Sequence, residues 1–208
     1  MRGALVRATK TITVILTFSA LCGVRASGQV HERYEGWCET LRDTSSPDLV
    51  KFLNSVTPDE GNARCVTWAI YKLGKERYEP AIVPLVRLLD FRSPRTEADK
   101  TFRWLEGEFP AEDALIRIGK KALPEVLGAI KASTSSDTLR ENAVFVWMDV
   151  YRQTDEHVKA VAVLKQEEMK AKDDKTRERL KWAVSKAITW CGPPEELACK
   201  QAAELGTP

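Results

Sequence analysis

Only two histidines occur in this chain, His31 and His157, and neither belongs to a His-Glu-x-x-His pair that could hold a metal ion. A Gly-x-Ser-x-Gly elbow for a serine nucleophile and a glycine loop to cradle phosphate are also missing. Glu106 and Glu108 flank Gly107 and have the chemistry for acid–base work, but no partner residue is visible beside them. Glu167, Glu168, Asp173 and Asp174 are crowded enough to consider as a cation site. Lys165, Lys170, Lys172 and Lys175 interleave with them. Glu168 and Lys172 have the spacing of a favourable pair one helical turn apart, so this stretch reads as a solvated helix end and loop. Neither catalytic residues nor a metal or cofactor site are expected.

The first residues read as an address rather than as fold. Arg2, Arg7 and Lys10 precede an uncharged apolar run from Thr11 to Val24, too short to span a bilayer, where about twenty residues are needed. Ala26-Ser27-Gly28 supplies small residues for cleavage, so residues 1–28 are expected to be a secretory signal and the mature chain to begin at Gln29. The expected location is periplasmic or extracellular, with no stable membrane insertion after cleavage. The whole chain carries 32 basic and 30 acidic residues. Its first 28 residues hold four basic residues and no acidic one, which leaves 28 against 30 in the mature protein. That balance offers no basic surface to displace phosphate counterions, so nucleic acid is not an expected partner. Cys38, Cys65, Cys191 and Cys199 remain after cleavage, an even number that permits two disulfides in three pairings. They include no Cys-x-x-Cys that would signal a zinc ribbon or a redox pair.

The elements that carry these residues are helical. Val66, Ala69, Ile70, Leu73 and Gly74 fall at i, i+3, i+4, i+7 and i+8, one stripe of an α-helix. The same template fits Ala111, Ala114, Leu115, Ile118 and Gly119. It fits again at Ala143, Val146, Trp147, Val150 and Tyr151, and at Leu180, Ala183, Val184, Ala187 and Ile188. A second apolar helix follows each stripe, at Pro80–Leu89, Lys121–Ile130, Asp155–Lys170 and Pro193–Leu205. Capping signals punctuate them: Ser46-Pro47 opens a short helix to Ser55, and Thr57-Pro58-Asp59-Glu60 and Thr138 with Glu141 read as capping boxes. Gly119 is placed to end one helix in a left-handed conformation, and Pro124 then lies in the first turn of the return helix. Strand signals are almost absent. The fold class is all-α.

Pro110–Ile130, "PAEDALIRIGKKALPEVLGAI", resembles the bacterial HEAT-like form of the HEAT-repeat family through Ala111, Ala114, Leu115, Ile118, Gly119, Ala122 and Pro124. The stretch from Val66 to Gly74 is similar, and the later stripes keep the apolar pattern with Arg140 and Arg177 three residues ahead. The resemblance covers roughly residues 57–205. It implies an α-solenoid of four to five stacked helical hairpins, at 57–208, with an irregular insert at 91–109 and N-terminal capping helices at 29–56. It also implies a protein-binding scaffold without catalysis of its own; the alternative is a lyase-like or enzyme accessory protein with a small-molecule pocket near the insert. In such a stack the end repeats lack a neighbour, so local disulfides Cys38–Cys65 and Cys191–Cys199 are expected where they help most.

Aromatic residues depart from the repeat pattern. Two positions after each stripe start stand Trp68, Phe145 and Trp182, pointing away from the stripe, while the second repeat has Asp113 there. The insert carries Phe102, Arg103, Trp104 and Phe109. Two readings stay open: these rings pack against adjacent repeats, with Trp104 filling the gap at Asp113, or they form a surface for a protein partner.

Overall fold

The computed structural model describes residues 38–94, 108–193 and 195–206, and the expectations placed on the signal segment, His31, Glu106, Phe102, Arg103 and Trp104 lie outside them. The described elements are helices: α1 (Ser46–Ser55), α2 (Ala63–Lys75), α3 (Ile82–Arg87), α4 (Pro110–Ile118), α5 (Leu123–Lys131), α6 (Asp137–Arg152), α7 (His157–Lys170), α8 (Asp174–Cys191) and α9 (Glu196–Leu205). Strands are absent among the described residues. Short 3-10 turns at Glu79–Ala81 and Gly119–Ala122 lead into α3 and α5.

The four helices built on the apolar stripe form one row, α2 packing on α4, α4 on α6 and α6 on α8. On their far side α3 packs on α5, α7 on α9, and α5 and α7 each wedge against the row helices that follow them. α1 covers α2 and α3. The stripe residues are what this arrangement buries: Val66, Ile70 and Leu73, Ala111 and Leu115, Ala143 and Val146, and Leu180 and Ala183 have no exposed surface. Row helices approach closely where side chains are smallest. A Cβ added at Gly74 would lie 2.6 Å from both Cα and Cβ of Ala114, so glycine sets the α2–α4 crossing.

Each reversal from a row helix to its return helix contains one residue with positive φ. These are Arg77 at 52°, Gly119 at 82°, Asp155 at 56° and Gly192 at 68°. Gly119 was expected in the left-handed helical region; its ψ of −148° instead puts it in an extended conformation open essentially to glycine alone. Along this edge the turns are stitched in chain order. Lys121 donates to Glu79 of the previous turn, Lys120 to Glu156 of the next, and Arg152 Nη2 to the Trp190 carbonyl at 2.7 Å.

The opposite edge is stitched by a second recurring device. Ser136 caps α6 by accepting from the Leu139 N–H, and Asp173 caps α8 by accepting from the Thr176 N–H. Arg140 pairs with Asp137 at 2.9 Å and donates to the carbonyl of Ala132, where α5 ends. Arg177 pairs with Asp174 at 2.5 Å and donates to the carbonyl of Ala171, where α7 ends. One residue before each stripe, Asn142 donates to Leu89 O at 2.6 Å and Arg179 to Lys131 O at 2.7 Å. Helix C-terminal carbonyls that would otherwise lack partners are thereby satisfied.

Two capping expectations require correction. The cap of α6 is Ser136, not Thr138, and Glu141 reaches Lys186 on α8 instead of its own helix end. Thr57–Glu60 does not open a helix, since α2 starts at Ala63. Asp59 and Asn62 exchange backbone-to-side-chain hydrogen bonds at 2.9 and 3.0 Å, and this local turn holds the chain out of helix until Gly61 is passed.

Both expected disulfides are present. Cys38–Cys65 ties the chain ahead of α1 to α2, and Cys191–Cys199 ties α8 to α9. Two disulfides fit an oxidising, extracytoplasmic setting. Among the described residues, no helix is long and apolar enough to cross a membrane.

Candidate functional site

The aromatic residues singled out from the sequence do not share one environment. Trp68 is packed at 8% exposure with Lys72 Nζ 5.3 Å from its ring centre. Phe145 is half-buried, edge-on to Trp190 on α8 with ring centres 5.7 Å apart. Phe109, just before α4, lies 5.2 Å from the guanidinium of Arg92, which also pairs with Glu108 at 3.3 Å. Trp182 is half-buried on α8 and carries Lys186 at 5.6 Å, the same i, i+4 lysine-over-tryptophan relation as at Trp68.

Trp182 lines a cavity. A groove of about 700 Å³ lies between the N-terminal halves of α6 and α8, lined by Asp137, Arg140, Glu141, Glu178, Arg179 and Lys186, with Lys175 at its rim and Trp182 in its wall. Most of its charges are already engaged: Arg140 with Asp137, Arg179 with the α5 end and Thr176, and Lys186 with Glu141 at 2.8 Å. Lys175 and Glu178 are exposed and make no ion pair within the described residues. The groove thus offers one flat aromatic wall and one free charge of each sign. That arrangement can hold a side chain or an extended peptide.

A second cluster lies at the start of α4. Glu112 is largely buried, and burial first, then the charges of Asp113, Asp149 and Glu108, pushes its carboxyl up to about 8. Asp149 on α6 is itself buried and pairs with Arg152 at 2.6 Å. The sequence reading missed Glu112 because it stands in the first helical turn, where an acidic residue is ordinary. Its signal is visible only once α6 brings Asp149 alongside.

The four carboxylates weighed as a cation site have other tasks. Glu167 bonds Lys131 on α5 at 2.5 Å, Asp173 caps α8 and Asp174 holds Arg177. Glu168 is buried and pairs with Lys165 at 3.1 Å, not with Lys172 as the spacing had implied, since the chain leaves helix at Ala171 before Lys172 can turn back. His157 opens α7 with Nδ1 3.9 Å from Asp155 and Nε2 buried without a hydrogen-bond partner. Groups of three or more potential ligands for a metal are absent among the described residues. Comparison of the chain with protein-family models, with curated proteins and with solved structures gives no match.

Proposed function

We propose that this protein is an exported, HEAT-like α-solenoid of four helical hairpins that works as a protein-interaction scaffold. The observation that carries the reading is the recurrence of one junction: cap, Asp–Arg pair, carbonyl clamp and apolar stripe come in the same register at α6 and α8. Stacks of this kind present long ridges between neighbouring units for partners. The α6–α8 groove is one such feature, with Trp182 as the anchor and Lys175 and Glu178 as free charges beside it. Aromatic anchors beside charged rims are the usual composition of a binding hot spot.

Photo-crosslinkers placed at Lys175 and at Glu178, and separately at exposed Gly128 on α5, test this reading. With protein recovered from the extracytoplasmic fraction, the groove positions should capture a common partner that Gly128 does not. The exchange of both charges, Lys175→Glu with Glu178→Lys, should weaken that capture at least tenfold. Equal capture from all three positions, or none from the groove, overturns it. One observation favours the alternative of a lyase-like or accessory protein with a small-molecule pocket near the insert: the raised carboxyl of Glu112 at the start of α4. Binding of a small molecule that Glu112→Gln abolishes and the groove variant leaves intact would select it.

A further inference from the structure

The two ends of the helical row are anchored differently. α1 plants Leu49 and Leu53 in the core with no exposed surface. In α9 the buried side chains are only Cys199 and Ala202, while Leu197 and Leu205 are 67% and 69% exposed. Half-cystine and alanine bury little apolar area, and a ten-residue helix is marginal on its own. Outside the disulfide, α9 packs along α7 and α8, and Gln166 Nε2 donates to the Gly206 carbonyl at 2.8 Å, beside Met169. The covalent link therefore carries a share of α9's docking that a core side chain carries elsewhere.

We propose that α9 is a redox-governed strap, held on α7 and α8 by the Cys191–Cys199 disulfide and released when a dithiol reduces it. Cys191 is half-buried and Cys199 fully buried, so attack is assigned to the Cys191 side of the bridge. A thiolate of the reductant forms a bond to Cys191 Sγ, the Cys191–Cys199 bond breaks, and Cys199 leaves as a thiolate that takes up a proton. The reductant's second thiol then displaces Cys191, and two electrons have passed from the dithiol to the cystine. Release uncovers the side of α7 at Lys165 and Gln166 against which Gly206 rests.

Hydrogen–deuterium exchange on the full chain, comparing the oxidised protein with Cys191→Ser plus Cys199→Ser, reads this directly. Amides of 196–205 should exchange about 100-fold faster in the variant, in proportion to the loop-closure contribution of a short disulfide, while α7 and α8 keep their protection. Unchanged protection in α9 overturns the proposal. So does loss of protection across α7, α8 and α9 together, which would make the disulfide a staple of the whole end instead of a strap. Should the serine variant not fold, graded dithiothreitol on the native protein gives the same readout. Opening of Cys191–Cys199, mapped by alkylation, should coincide with loss of α9 protection; opening without that loss overturns the proposal.

Discussion

Glu112 shows how one side chain can set the pH response. Its native carboxyl, raised to about 8 from the ordinary 4.5, binds a proton that the unfolded chain releases at lower pH. Folding therefore takes up a proton between these values, so the contribution of Glu112 to stability is greatest below pH 4.5, falls as pH rises and levels off above 8. The total loss from this group is at most roughly 5 kcal/mol. Glu112→Gln should flatten most of this slope; melting temperatures at pH 5, 6.5 and 8 that fall equally in both proteins would show the carboxyl to be irrelevant. Glycines divide in the same local way. Gly119 has φ 82° and open space around its missing Cβ, so Gly119→Ala should cost about 1–3 kcal/mol through backbone strain alone. Gly128 is exposed inside α5 with nothing near its missing Cβ, and Gly128→Ala should stabilise by about 0.5–1 kcal/mol. Chemical denaturation of both variants checks the opposite signs.

At the scale of elements, the Asp–Arg clamp is where helix meets helix. Arg140 is only 12% exposed and serves Asp137, Ala132 and Ser135, whereas Arg177 is 45% exposed. Arg140→Ala should therefore cost about 2–3 kcal/mol and Arg177→Ala about 1 kcal/mol or less. Equal losses in urea unfolding would place the stabilisation elsewhere. This contrast also marks what could be read beforehand. The stripes were legible because apolar spacing is a property of each helix alone, and Gly119 announced one reversal because glycine permits positive φ. Arg77 and Asp155 make the equivalent reversals with residues that carry no such signal, so those turns were found only by their neighbours. Thr57–Glu60 misled for the converse reason: its letters suit a cap, but Asp59 and Asn62 satisfy each other first. Trp182 was singled out, yet its groove is shared with Asp137, Arg140 and Glu141 of α6, a relation between two helices that neither segment encodes.

Across the whole molecule, the turn ladder and the clamp ladder connect nearest neighbours, with Asn142 and Arg179 reaching one unit further. On the proposed solenoid reading, stability is close to a sum of unit and interface contributions, and the ends are the first to open. The disulfides sit at those ends with unequal reach. Cys38–Cys65 spans 27 residues and encloses α1, and by loop closure it should contribute about 3.5 kcal/mol. Its removal, Cys38→Ser with Cys65→Ser, should lower the unfolding midpoint of the α1–α2 end by that amount while α7 and α8 keep their amide protection. A uniform loss throughout the chain would show a single cooperative unit instead.

The disulfide connectivity has a consequence for biogenesis. Each half-cystine is joined to the next cysteine along the described chain, Cys38 to Cys65 and Cys191 to Cys199. A polypeptide emerging N-terminus first can close its first bridge before Cys191 appears, and an oxidant that joins these four thiols in order of arrival makes no wrong pair among them. Maturation should then depend on a disulfide oxidase but not on an isomerase. Cells deprived of isomerase should accumulate the correctly paired protein at the normal rate, whereas loss of the oxidase should leave the thiols free to alkylation.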